Sequence, residues 1–407
     1  MNRTTFGIAL LAFLLPCTIC AKKAQWVGTW ATAEQLVEPH NCPPSPGLGG
    51  NSIRQIVHTS ISGNRIRLKF SNEFSQGPVE IKAVEIAKAT TMGASSDIVE
   101  NTTHAVLFGG QPSVTIAPGE YVISDAFSYT LGREENIAIT MHLGEASSTN
   151  ITGHPGSRTT SYIAEGNTTD FSNAVKTDHW YIINAIEVYS KTGQAIVVLG
   201  NSITDGRGTT TNGQNRWTDV LAHNLGKMNG TGHISVLNMG LGGNCVIRGG
   251  LGAPASKRYQ RDLFEQGGVK YIILFEGIND LGGARNGEQT AQQIIDIFTQ
   301  IAREAKEKGI KVFGATVAPF KGNRGYFNPD REHGRQVLNN WIKTAELFDG
   351  YIDIAAAVCD ADDPEQMDTK YLFENDYLHY NADGYQVMGK YAAEQIYPLL
   401  DKVKKHK

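Results

Sequence analysis

From Gln194 onward the chain repeats one rhythm, and that rhythm limits its fold more than any other feature. Short apolar runs of strand length occur at 195–199, 233–238, 271–275, 311–315 and 351–354. Longer segments with helical spacing lie at 217–225, 289–308, 331–347 and 382–399. In the second of these, Ile294, Phe298, Ile301 and Ala305 form one apolar stripe, and Gly309 supplies a helix stop. Strands that are apolar along their whole length are covered on both faces. Alternation with helices predicts that they run parallel. The expectation for 193–407 is therefore an α/β domain, a parallel sheet with helices on both faces.

The preceding segment, 26–189, reads differently. Ile66, Leu68 and Phe70 alternate with Arg65, Arg67 and Lys69, the period-two pattern of a half-buried strand. Ser62-Gly63-Asn64 precedes them and predicts a hairpin with the run at 53–59. Further short runs follow at 79–86, 105–108, 113–116, 121–124, 137–143 and 180–189, punctuated by glycine, proline and asparagine. This spacing predicts a β-sandwich or jelly-roll-like domain over 25–192. Ser190-Lys191-Thr192-Gly193 marks the boundary, and two domains suit a chain of 407 residues.

Residues 1–21 stand apart. Arg3 is a basic start, the segment 6–16 is apolar but too short to anchor in a bilayer, and Ala21-Lys22-Lys23 turns polar. That is the pattern of a secretory signal peptide ending at Cys20 or Ala21, so a secreted or periplasmic location is expected. Lipidation at Cys17 or Cys20 is the lesser alternative. No later stretch reads as a membrane helix. Without the leader three cysteines remain, Cys42, Cys245 and Cys359; no pair has metal-ligand spacing, and sequence alone selects no disulfide. A formal net charge of -4 gives no basis for a nucleic-acid partner.

Four blocks carry chemistry. Gly200-Asn201-Ser202-Ile203 follows the first strand of the parallel sheet, placing Ser202 at the edge where such sheets keep their sites. Thr204 occupies what would be the second glycine of a G-x-S-x-G elbow, so this is not that motif. A serine hydroxyl needs a base, and His379 can be one, with Asp376 three residues earlier to orient the ring. Gly243 follows the second strand and offers a backbone N–H; Asn279 follows the third and offers an amide; the Ser202 N–H is a third donor for an oxyanion. Taken singly, each is an ordinary loop residue. Their convergence on one sheet edge points to ester hydrolysis.

The blocks resemble those of the SGNH (GDSL-type) hydrolases. The serine, glycine and asparagine of that family correspond to Ser202, Gly243 within 238–244, and Asn279 within Gly277-Ile278-Asn279-Asp280; Asp376-Tyr377-Leu378-His379 corresponds to its D-x-x-H block. One departure is Asn201, where the family commonly has aspartate. The resemblance covers about the last 210 residues and implies a flavodoxin-like catalytic domain that needs no cofactor or metal. Trp26-Val27-Gly28-Thr29-Trp30-Ala31 and the β-rich region also resemble the first half of two-domain secreted members.

That resemblance implies a serine esterase acting through an acyl-enzyme, with acetyl groups on plant-type polysaccharides such as xylan or pectin as the expected substrate. Arg248, Glu276 and Trp217 lie near the blocks and are candidates for lining the pocket. The competing readings are an acylhydrolase of lipid esters and a non-catalytic carbohydrate-binding protein. A nucleotide-binding enzyme fits poorly, because Gly200, Gly206 and Gly208 do not spell G-x-G-x-x-G.

Overall fold

The computed structural model describes residues 23–403. The expected leader, with Cys17 and Cys20, lies outside them. The C-terminal half is a five-stranded parallel sheet in the spatial order Ile234–Gly240, Gln194–Gly200, Val269–Phe275, Lys311–Ala315, Gly350–Ile352. Numbered along the chain this is 2-1-3-4-5, the flavodoxin-like order, whose direction reverses beside the first strand. Ile196, Val197, Val198 and Leu199 are fully buried, as a strand covered on both faces requires.

Helices Trp217–Lys227 and Ala382–Ile396 pack on each other, as do Gly287–Glu307 and Pro329–Thr344. Right-handed crossovers in this strand order place one pair on each face. Local chemistry sets the helix starts: Asn286, Asn328 and Asn381 each accept a backbone N–H from the first turn. The stripe Ile294, Phe298, Ile301 and Ala305 is fully buried. The last strand stops at Ile352, short of the expected 354, because Asp353 caps a short helix, Ile354–Val358.

The N-terminal half is β-rich. One antiparallel sheet runs Gln25–Ala31, Ile183–Ser190, Gly63–Ser71, Tyr121–Ile123, with Phe127–Leu131 also on Gly63–Ser71. The other runs Val175–Thr177, Ser161–Ala164, Ser52–His58, Asn136–Leu143, Val79–Lys88, His104–Val106, with Val114–Ile116 on Val79–Lys88. Ile66, Leu68 and Phe70 point inward as their alternation requires, and the rings of Phe70 and Phe108 meet at 5.7 Å.

The expected hairpin is absent. Ser52–His58 and Gly63–Ser71 belong to different sheets, because the link between them is drawn onto the first strand. The Thr29 hydroxyl donates to the Ile61 carbonyl and accepts from the Ile61 N–H, while the Ser60 N–H donates to the Thr29 carbonyl. The run expected at 180–189 is also broken, at Ile182, whose φ is +69°.

The two halves share one continuous apolar core. The Gln25–Ala31 strand lies along the edge strand Ile234–Gly240, joined through a Thr32–Asn238 bridge. A small third sheet, Trp180–Tyr181, Thr152–His154 and Gln35–Leu36, brings His154 to this seam. Among the described residues no helix is long and apolar enough to cross a membrane. Cys42, Cys245 and Cys359 are all unpaired.

Candidate active site

Strand Gln194–Gly200 ends where the chain turns into a one-turn helix, Ser202–Asp205. Asn201 makes that turn possible, because its side-chain oxygen accepts the Ile203 N–H at 3.0 Å. Ser202 occupies the first helical position, where a backbone N–H has no partner within the helix. Its Oγ lies 2.8 Å from His379 Nε2. Ser202 is 8% exposed and His379 7%, so the pair is largely shielded from water yet accessible.

His379 lies in the loop before the final helix. Asp376 Oδ2 is 2.6 Å from His379 Nδ1, and Asp376 Oδ1 accepts the backbone N–H groups of Leu378 and His379, each at 2.8 Å. One carboxylate thus fixes both the ring and the loop that carries it. Burial pushes the Asp376 carboxyl up, but the bonds from His379 and the Leu378 N–H outweigh it and hold it below its ordinary value. With Nδ1–H given to the carboxylate, Nε2 is left to accept the serine proton. Asn381, not Asp376, caps the helix that follows.

Two further donors converge on the same edge. Gly243 sits in the loop after Ile234–Gly240 with φ +65°, a conformation that glycine adopts freely. Asn279 lies in the short helix Ile278–Gly282 after Val269–Phe275. Its Nδ2 donates to the Asn244 carbonyl at 2.7 Å, which ties the two donor loops together and leaves one amide hydrogen. Its Oδ1 accepts the Tyr326 hydroxyl at 2.7 Å, which fixes which way the amide faces. Asp280 secures the glycine loop further by accepting the N–H groups of Val246 and Ile247 at 2.8 and 3.0 Å.

Beneath the blocks lies a buried polar brace. Arg258 donates to the Gly200, Met239 and Asn244 oxygens at 2.9, 2.7 and 3.0 Å and to Asp262 at 2.8 Å, so one guanidinium holds two strand ends and the glycine loop. Glu276 belongs to this brace and not to a substrate pocket: it is 1% exposed, and its Oε2 accepts from Asn201 Nδ2 at 2.8 Å and from the Gly277 N–H at 3.1 Å. Trp217 is likewise fully buried, its ring edge-on to Phe275 and its indole N–H on Thr204, so it is a core residue. Arg248 is exposed on the glycine loop. Cys245 is buried, and burial pushes its thiol up to about 12, which leaves it inert as a nucleophile.

Tyr326 and Arg258 escaped the sequence reading because neither stands in a periodic segment or a motif. A faint signal existed for Arg258, whose partner Asp262 is four residues on. Asp205 stands two residues after the first block, but its side-chain partners are distant in sequence. A cavity of ≈ 340 Å³ at the seam between the halves is walled by Trp30, His154, Trp180, Asp205 and Arg216, and not by Ser202 or His379. Among the described residues no cluster of three or more histidine, cysteine, aspartate or glutamate side chains is arranged to hold a metal ion.

Residues 198–387 match the model of the GDSL-like Lipase/Acylhydrolase family. The match takes in all four blocks. The chain is similar in structure to the lipase/acylhydrolase from Enterococcus faecalis, with 20% identity, a TM-score of 0.41, and coverage of 52% of this chain and 99% of that one. It is also similar to a GDSL-like lipase from Bacteroides thetaiotaomicron VPI-5482, with 21% identity, a TM-score of 0.38, and coverage of 52% and 91%. An acetyl xylan esterase gives 19% identity, a TM-score of 0.37, and coverage of 51% and 100%. The search of curated proteins found no match.

Proposed function

We propose that this chain is an exported serine esterase that removes short acyl groups, chiefly acetyl, from carbohydrate esters of the plant-polysaccharide type. The observation that carries the catalytic part is the relay Ser202 Oγ to His379 Nε2 at 2.8 Å and His379 Nδ1 to Asp376 at 2.6 Å. In this reading His379 takes the Ser202 proton as Oγ attacks the ester carbonyl. Negative charge on the former carbonyl oxygen is met by the N–H groups of Ser202 and Gly243 and by Asn279 Nδ2. His379 then returns the proton to the departing alcohol, leaving an acyl-serine. Water, deprotonated by His379, attacks that acyl group; the acid departs and the serine proton is restored.

The short-acyl part rests on what surrounds the site. A long acyl chain needs a contiguous apolar trough. Among the described large apolar side chains that stay strongly exposed, Leu251 stands on the glycine loop, while Tyr121, Ile123, Val175 and Tyr351 are on other elements. Arg248, beside Leu251 on that loop, adds a charge. Export is supported by the leader-like pattern of 1–21. Rates on aryl acetate and aryl decanoate test the acyl preference, and acetate release from acetylated xylan and pectin tests the alcohol. A clear preference for decanoate, or inertness on every acetylated glycan with acetate cleaved from aryl esters, would overturn the substrate assignment.

A further inference from the structure

The last residue of the nucleophile turn is held from the other half of the molecule. Asp205 is 1% exposed, and its carboxylate meets His154 and Arg158 at the seam. Arg158 Nη2 donates to Oδ2 at 2.8 Å, and His154 Nε2 lies 2.9 Å from Oδ1. Both partners come from the β-rich half. His154 is itself pinned, since its Nδ1 lies 2.8 Å from the Ala33 carbonyl. Between the two, Gly156 is packed so closely that a Cβ there would overlap the Asp205 carboxylate. Nothing but glycine fits under the carboxylate at that point.

The rest of the turn is tethered to the same seam. Arg216 Nε donates to the Asp205 carbonyl at 3.2 Å, and another of its nitrogens reaches the Ser157 carbonyl in the β-rich half. Asn238, which bridges to Thr32, donates from Nδ2 to the Thr204 carbonyl at 2.6 Å. A four-residue helix has too few internal bonds to hold a shape by itself. Its orientation is therefore set by these outside contacts. Burial would push the Asp205 carboxyl up, yet the charges of Arg158 and His154 hold it low, as expected of a carboxylate kept ionised to serve as an anchor.

We infer that the β-rich half is a working part of the esterase site: His154 and Arg158 are positioning residues that act through Asp205 to set the angle of the Ser202 turn toward His379. The inference rests on the esterase reading above. It makes the N-terminal half something other than a detachable carbohydrate-binding module, because a sugar site alone would not require an ion pair to the nucleophile turn.

Side-chain geometry provides the test. Glutamine at 154 can carry a donor at the Nε2 position toward Asp205, whereas asparagine reaches only the Nδ1 position toward Ala33. In the full-length protein, assayed on aryl acetate well below the melting temperature, His154→Gln should keep kcat within about threefold of wild type. His154→Asn should lose tenfold or more in kcat with KM changed less than twofold, and with proportionally slower labelling of Ser202 by a phosphonate. Arg158→Met should behave like His154→Asn, and Arg158→Lys should recover most of the loss; Arg158 is partly exposed, so both variants are expected to fold. Ser202→Ala runs alongside. If it retains activity, the esterase reading itself fails. If it is inactive while His154→Asn and Arg158→Met keep wild-type kcat, or if they change KM alone, the positioning role is refuted. Failure of His154→Asn to fold leaves the Met and Lys pair at 158 to decide.

Discussion

Glu276 offers the most searching test of the buried brace. Its side chain is fully enclosed, with Oε2 engaged by Asn201 and Gly277 and Oε1 without a hydrogen-bond partner, 3.7 Å from Arg258. Burial pushes this carboxyl from 4.5 to about 8; Arg258 and the Asn201 amide pull it down and Asp280 pushes it up. The folded protein therefore keeps a proton that the unfolded chain gives up near pH 4.5. An acid raised in this way lends its full stability below its unfolded value and loses it as pH rises through the folded one. A rise of that size corresponds to about 5 kcal/mol once pH exceeds 8.

Glu276→Gln removes the titration and retains an oxygen for Asn201 and Gly277. Its amide N–H₂ would face Arg258 without an acceptor, a penalty of about 1–3 kcal/mol that is the same at every pH. Arg258 keeps Asp262 at 2.8 Å and the Gly200, Met239 and Asn244 oxygens. The expected result is a difference curve, Gln variant minus wild type, that climbs by several kcal/mol between pH 5 and pH 9 in urea denaturation. Glu34, which burial likewise raises to about 8, titrates in both proteins and cancels. A flat difference curve would refute the claim that a buried, proton-holding carboxyl supports the nucleophile loop.

Other expectations follow from the same geometry. Ser202→Ala should abolish turnover with a melting temperature within about 2 °C of wild type, because one hydroxyl at a partly open site contributes little to stability. Asp376→Asn should lower kcat by about 10³–10⁴ with KM nearly unchanged, since it disturbs the ring's tautomer and leaves the pocket intact. The stability that Asp376 lends, present above the ordinary aspartate range and lost as pH falls through its depressed value, should vanish from the acid limb of that variant's stability profile. Tyr326→Phe frees the Asn279 amide to turn; losing about 1 kcal/mol of orientation should reduce kcat about fivefold with little change in KM.

The parallel half was legible in the sequence because its signals are local. An apolar run such as 195–199 and a stripe such as Ile294, Phe298, Ile301 and Ala305 depend on residues a few positions apart. The strand at 311–315 was found to the residue, and the others within a few. The β-rich half yielded many of its strands, though not Phe127–Leu131, Thr152–His154, Ser161–Ala164 or Val175–Thr177, and it did not yield their pairing. Period two says which side of a strand is buried and nothing about its neighbour, so the bonds from Thr29 to Ser60 and Ile61 that send the chain to a second sheet left no trace in the pattern. The reacting groups were readable as blocks, but the groups that hold them were not. Tyr326 lies 47 positions from the amide it orients, and Arg158 lies 47 from the carboxylate it grips.

The departure at Asn201 shows why such distant partners matter to a reading of the blocks. The position has two tasks in this structure. Its oxygen caps the nucleophile turn at the Ile203 N–H, which an aspartate would do equally well. Its nitrogen donates 2.8 Å to Glu276, which an ionised aspartate cannot do. An aspartate here would face a buried carboxyl, and the two would have to share a proton, so the loop would hold together while that proton is present and repel itself once it is lost at alkaline pH. Asn201→Asp should accordingly match wild-type kcat near pH 6 and fall away at pH 9. Adding Glu276→Gln, whose amide can donate to the new carboxylate, should restore the alkaline activity. An alkaline loss that persists in the double variant would show that the pair does not communicate. On this account residue 201 is matched to the group at 276: a neutral amide before the serine can donate to the enclosed, proton-holding carboxyl, and an ionised aspartate cannot.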